Sequence, residues 1–191
     1  MKKVAVGGAI AILIVAIVFT FYAGPVWRHP IVLFSLTMQP ASATLPVPIA
    51  GVAPRSLVDS WGSPRPGGRG HQGIDIFARR GTPIHSATRG IVVKVGENEL
   101  GGHVVKVFGP GGEWHYYAHL DHFAGVHAGD VIRAGTILGY VGNTGDAVGT
   151  PTHLHYGIYS RVGLATDPYL RLTSRGDMQT PAAPRLTRRS R

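Results

Sequence analysis

His153-Leu154-His155 sets two imidazoles two residues apart inside HLHYGIY, a run of apolar and aromatic residues that reads as a β-strand. Alternate side chains of a strand share a face, so both rings lie within about 7 Å, near enough to act on one metal-bound water. His71-Gln72-Gly73-Ile74-Asp75 follows Gly70, and its glycines argue for a turn or strand entry rather than a helix. Residues 71 and 75 have equal parity, so they too can face one side. Imidazole and carboxylate both bind zinc, and two His with one Asp and an open fourth position is a catalytic rather than a structural zinc pattern. His119, in Tyr116-Tyr117-Ala118-His119-Leu120, is a further candidate. His29, His85, His103, His115, His122 and His127 have no partner at ligand spacing and read as surface or packing residues.

The chemistry open to such a set is hydrolysis of an amide. That reaction needs a nucleophilic water, a polarised carbonyl and a proton for the leaving amine. Zinc supplies the first two by lowering the pKa of bound water from ~15.7 to about 7. No His-Glu-x-x-His occurs, and Glu97, Glu99 and Glu113 lie in glycine-rich text with no ligand pair beside them. A histidine base takes that role, because its ordinary pKa of about 6.5 lies near working pH. Tyr116 or Tyr117 can add an oxyanion donor, and strand parity with His119 favours Tyr117.

The elements that carry these residues read as antiparallel β. From about residue 46 to 172, short apolar runs such as Gly90–Gly96, Val104–Phe108, Trp114–Leu120 and Ile137–Val141 are cut by glycine-rich turns. The expected domain is mainly β, an antiparallel sheet or sandwich-like domain with a groove. The loops 62–70 and 142–149 would wall that groove with little side-chain bulk, which suits an extended peptide. The segments from Gly81 and from Gly129 share a rhythm that suggests a weak duplication. Ile31–Met38 is too short to span a membrane and reads as a strand or a tether packed on the domain.

The 191 residues suit one domain with extensions, and with no Cys they exclude a disulfide scaffold, Cys-ligated metal sites and a thiol nucleophile. The net charge is +9, but +3 falls in residues 1–30, +2 in 31–173 and +4 in 174–191. A nucleic-acid-binding domain would carry its excess on the folded part, so that partner is not expected. Residues 4–23 form an uncharged run of 20, about 30 Å as a helix, with Lys2 and Lys3 before it. We therefore expect residues 1–24 to be a single-pass anchor with the N-terminus inside and the domain exported; the alternative is secretion after signal cleavage. Residues 25–45 would be a tether. Residues 173–191, rich in Arg, would be a disordered tail. The sequence sets no oligomeric state.

Three motifs in order, His71…Asp75, Tyr117-Ala118-His119-Leu120 and His153-Leu154-His155, resemble the M23 (LytM/lysostaphin-type) zinc metallopeptidases. The framework is similar too: Gly70–Ile76, Gly81-Thr82-Pro83, Val141-Gly142-Asn143-Thr144-Gly145 and Asp167-Pro168. The resemblance covers about residues 46–172 and is nearest to membrane-anchored bacterial envelope members. It implies one Zn²⁺ held by His71, Asp75 and His155, with His119 and His153 as non-ligand catalytic histidines that orient and deprotonate the water. It also implies peptidoglycan peptides as substrate, in the periplasmic or extracytoplasmic space. Inactive relatives that lack ligands act as regulators of other hydrolases; a non-catalytic peptidoglycan-binding regulator is the alternative, but none of the five positions is lost here. A biotinyl- or lipoyl-type carrier would need an exposed hairpin Lys, whereas Lys94 and Lys106 sit inside β-like runs.

Overall fold

The computed structural model describes Gly24 and residues 26–174. The expected membrane run and residues 175–191 of the expected tail lie outside the described residues, while Thr173 ends a helix. Among those described, no helix is long and apolar enough to cross a membrane. After a 3-10 turn at Val26–Arg28 comes a helix, α1 (Pro30–Met38), where a strand or a tether packed on the domain is expected from sequence. Proline at its start has a pre-set helical φ and gives up only an N–H that would be unpaired anyway. Gln39 is extended (φ −76°, ψ 146°), as a residue before proline prefers, and this ends the helix. Leu36 is fully buried against Ile91 and Phe108, while His29 donates from Nε2 to Gly129 O at 2.9 Å. Residues 30–38 therefore form part of the folded body.

The strands follow in order: β1 (Pro64–Arg65), β2 (Arg69–Gly70), β3 (Ile74–Phe77), β4 (Pro83–His85), β5 (Gly90–Asn98) and β6 (Gly102–Phe108). Then come β7 (Trp114–Phe123), β8 (Val131–Ile132), β9 (Ile137–Val141), β10 (His153–Tyr159), β11 (Ala165–Thr166) and a short helix, α2 (Tyr169–Thr173). β1 and β2 form a two-stranded ribbon, and the other nine strands form one antiparallel sheet with the path β11-β10-β7-β6-β5-β8. β3 pairs with β10, and β9 bridges β7 and β4. The two segments of similar rhythm thus meet as neighbours, β4 against β9.

Alternation along β10 separates core from site. Leu154, Tyr156 and Ile158 are fully buried among Ile74, Ile76, Tyr117 and Leu120. His153 and His155 point to the opposite face. Pairing puts Asp75 of β3 directly across from His155, and Ala118 of β7 directly across on the other side. Three adjacent strands therefore deliver the polar set to one surface.

One histidine does not belong to that surface. His115 is 1% exposed and its Nδ1 lies 2.7 Å from the Tyr156 hydroxyl. Burial, and then the nearby Arg171 charge, lowers its pKa to about 3. The unfolded chain takes up a proton near pH 6.5 that the folded chain refuses until about pH 3. His115 therefore costs stability as pH falls through this window, by up to about 1.4 kcal/mol per pH unit. Replacing His115 with Phe should flatten the fall in Tm between pH 6 and 4 relative to the native chain. Parallel Tm–pH curves for the two proteins would contradict this.

Candidate metal centre

His71 follows β2, with its main chain clamped by His71 N–H to Ser63 O (2.9 Å) and Gly62 N–H to His71 O (2.9 Å). Its Nδ1 lies 2.7 Å from Ser60 O. A carbonyl only accepts, so Nδ1 carries the proton and Nε2 presents a lone pair. The Ser60 hydroxyl accepts the Asp75 N–H at 3.1 Å, so one residue fixes both ends of the His71–Asp75 motif. Three atoms then converge: His71 Nε2 to His155 Nδ1 at 2.8 Å, His71 Nε2 to Asp75 Oδ1 at 3.1 Å, and His155 Nδ1 to Asp75 Oδ1 at 3.3 Å. A tetrahedral zinc with bonds of ~2.1 Å holds its ligand atoms about 3.4 Å apart. The triangle is slightly tighter than that, its donors are two imidazole nitrogens and a carboxylate oxygen, and one side opens to the cleft. The residues fit a catalytic zinc.

Asp75 is arranged to stay ionised. Burial pushes its carboxyl pKa up, but the contacts with His155 and His71 and the Arg65 guanidinium outweigh that and hold it well below the usual carboxylate range. Arg65 Nη2 bonds Oδ2, leaving Oδ1 to face the histidines. Burial lowers the His155 pKa, so its ring favours the neutral form that a metal ligand needs.

Gly73 is glycine for a local reason. A Cβ there would lie 2.6 Å from Tyr156 O and 2.7 Å from Cε1 of His155. Gly73→Ala should push the His155 ring out of place, costing about 1–3 kcal/mol of stability and tenfold or more in zinc affinity. Competition titration against a chromogenic chelator reads this directly, and unchanged affinity would refute the packing role.

His119 and His153 lie beside the triangle. His153 donates Nδ1–H to Pro151 O and His119 donates Nδ1–H to Thr144 O, both at 2.8 Å. Each therefore turns an unprotonated Nε2 to the site, with ring centroids 5.0 Å apart. Burial, then the neighbouring His155, lowers the His119 pKa to about 4, so the ring is neutral at pH 7. His119 has φ +64°, and among the described residues it is the sole non-glycine with positive φ. It sits where β6 and β7 slip register between His103↔Leu120 and Val105↔Tyr117, so two β7 residues oppose one of β6. The Gly145 and Gly102 main chains approach so closely that a Cβ on Gly145 would lie 2.3 Å from Gly102 N, and this contact brings Thr144 O to His119.

That bulge corrects the expectation for Tyr117. Parity carries Tyr117 into the core, fully buried, where its hydroxyl accepts the Ala87 N–H at 2.9 Å. Burial pushes its pKa up to about 12. Tyr116 faces the cleft instead, its ring 6.0 Å from His155. Its hydroxyl accepts from Asn98 Nδ2 at 3.0 Å, leaving its own O–H to donate. Glu97 and Glu113 are occupied elsewhere, with His103 (3.0 Å) and with Arg171 (2.9 Å). The cleft is about 630 Å³ and is lined by His71, His119, His155, Tyr116, Arg65 and Tyr159, among others. Sequence reasoning missed Ser60, Arg65 and Asn98; only the clustering of Arg65 with glycines just before His71 hinted at any of them.

The fold and this constellation define a metallopeptidase. Residues 69–168 match the model of peptidase family M23, and the chain belongs to that family. It is 38% identical over 125 residues to the L-Ala--D-Glu endopeptidase of Bacillus subtilis, covering 60% of this chain and 38% of that protein. It is 36% identical over 91 residues to glycyl-glycine endopeptidase ALE-1 of Staphylococcus capitis, covering 47% of this chain and 24% of that protein. The chain thus spans well under half the length of these curated relatives. The crystal structure of a putative glycyl-glycine endopeptidase lytM from Ruminococcus gnavus superposes with a TM-score of 0.57 at 33% identity, over 74% of this chain and 62% of that one. The catalytic domain of lysostaphin from Staphylococcus simulans gives 0.55 at 30% identity, over 63% of this chain and 96% of that one.

Proposed function

We propose that the protein is a zinc-dependent endopeptidase that hydrolyses peptide cross-links of peptidoglycan in the bacterial envelope. The observation that carries this reading is the convergence of His71, Asp75 and His155 on one point facing an open cleft, with His119 and His153 beside it. The names of the relatives, endopeptidases for L-Ala–D-Glu and glycyl-glycine bonds, supply the substrate class.

His71 Nε2, Asp75 Oδ1 and His155 Nδ1 would hold one zinc. When bound, zinc polarises the scissile carbonyl and acidifies the attacking water. Arg65 keeps the Asp75 carboxylate ionised and turned. The Nε2 atoms of His153 and His119 accept a proton from the attacking water, their orientation fixed by carbonyls at 2.8 Å behind each ring. The protonated imidazole then returns that proton to the leaving amine. Tyr116, in place of Tyr117, donates its O–H to the oxygen that gains negative charge. A cleft with glycine along its rim accepts an extended backbone.

The zinc-loaded protein incubated with purified sacculi should release peptide fragments cut at a single type of amide, detected by mass spectrometry. Intact cross-links, with zinc bound and the fold preserved, would sink the reading. We also propose the single-pass anchor at residues 4–23. The adjoining helix α1 exposes Ile31, Phe34 and Met38 at 83%, 66% and 62%, an apolar stripe that suits a bilayer surface. Alkaline carbonate should leave the full chain in the membrane pellet; release into the supernatant would exclude the anchor.

A further inference from the structure

A second hollow opens beside the metal cleft. It is about 560 Å³ and is walled by Lys94, Lys106, Arg161 and Trp114. Tyr116, Tyr159 and Asn98 line both spaces, so the two lie side by side with a shared wall. No Asp or Glu lines this hollow. Three cations from three different segments meet there: β5, β6 and the turn after β10.

Their placement is costly unless an anion joins them. Lys94 and Lys106 are direct partners across the β5–β6 ladder, where like charges destabilise a sheet. Burial, and then Lys94, makes Lys106 a weaker base than an ordinary lysine, the direction an anion would reverse. Among the described residues none of the three is ion-paired. Each is nonetheless held in place. Lys94 Nζ donates to Glu97 O at 3.1 Å, Lys106 Nζ sits 4.6 Å from the Trp114 ring centre, and Arg161 Nη2 donates to Thr37 O at 2.8 Å. An ammonium has three donors and a guanidinium five, so all three keep N–H groups free for a ligand.

We propose that this hollow is a specificity subsite for a carboxylate of the bound peptide, lying beyond the Tyr116–Tyr159 wall from the scissile bond. The inference rests on the endopeptidase reading and extends it to what is recognised away from the reacting amide. A peptide lying extended in the metal cleft crosses Tyr116 and Tyr159, whose rings meet edge to face at 6.4 Å. Its next residues then enter the cationic hollow. Charge-assisted hydrogen bonds from ammonium and guanidinium are the strong ones, and Trp114 limits competing water on one side.

The test uses zinc-loaded full-length protein and quenched peptides that share one cleaved bond. Glutamate is exchanged for glutamine at each flanking position in turn, and the C-terminus is a free acid or an amide. The two arms separate a side-chain carboxylate from a chain-end one. The native protein should prefer one acidic peptide about tenfold or more in kcat/KM, mainly through KM. In Lys106→Met/Arg161→Met that ratio should fall to about one. Arg161→Gln alone changes an exposed turn residue and removes its bond to Thr37 O; with the Tm unchanged it should give an intermediate ratio, which guards against misfolding of the double variant. Calorimetric titration of the same peptides into His153→Ala protein reads the discrimination without turnover, so it survives a failure of the endopeptidase reading. Equal affinity for acidic and neutral peptides at every position would overturn the subsite, as would a preference that persists in the double variant.

Discussion

His153→Ala is expected to lower kcat by about 10²–10⁴-fold while zinc content stays at the native level. That range is what a positioned acid–base group contributes. Mutual contact among His71, Asp75 and His155 is 3.3 Å or less, whereas His153 Nε2 stands 3.8 Å from Asp75 Oδ1. His153 is thus adjacent to the converging donors rather than one of them. Its Pro151 carbonyl fixes the tautomer that leaves Nε2 able to take a proton. Removal of the ring deletes the base without opening the triangle. Metal analysis on the purified variant alongside peptide kinetics reads both halves of the prediction. Loss of zinc together with activity would move His153 into the ligand set and undo the division of roles.

His155→Ala is expected to abolish both. The variant should lose zinc affinity by well over the 10–100-fold that loss of a residue merely orienting a ligand produces, because it removes one of three donors outright. Its ring also accounts for the hydrogen bond to Asp75 Oδ1 at 3.3 Å, so the buried carboxylate is left with fewer partners. Zinc added to the native protein should raise Tm in proportion to the logarithm of free metal over Kd, and this rise should vanish in the variant. A Tm response to zinc equal to that of the native protein would remove His155 from the centre. The pair of variants separates binding from chemistry: one keeps the metal and stops turnover, the other loses the metal first.

Much of this site was legible because strand alternation is a short-range rule. His153 and His155 share a face in the sequence and in β10, and the glycine of His71-Gln72-Gly73-Ile74-Asp75 marks a place where another ring passes closely. The rule failed at Tyr117. Parity is valid only along an unbroken ladder, and the β6–β7 bulge inserts one residue just before His119. No glycine marks that bulge; its left-handed residue is the histidine itself. Ile31–Met38 packs on the domain, as one of the two expectations had it, but as a helix rather than a strand; its start and stop are set by prolines, and its apolar residues give no clear period that sequence could read. His115 has a packing role, one of the two roles its sequence allows, but nothing near it in sequence reveals that Tyr156 and Arg171 enclose it.

The sequence by itself determined the chemistry available: histidines and a carboxylate as the metal donors, no thiol, and β-strands to carry them. Residue type and local spacing suffice for that, because ligand preference and strand alternation are properties of a few neighbouring residues. Which side chains meet was decided only by the tertiary structure. Strand pairing across 80 residues put Asp75 opposite His155, a bulge turned Tyr116 rather than Tyr117 to the cleft, and Ser60 and Arg65 came in from a separate ribbon and loop. Those contacts depend on register between distant segments, which is fixed by packing of the whole core rather than by any local run of residues.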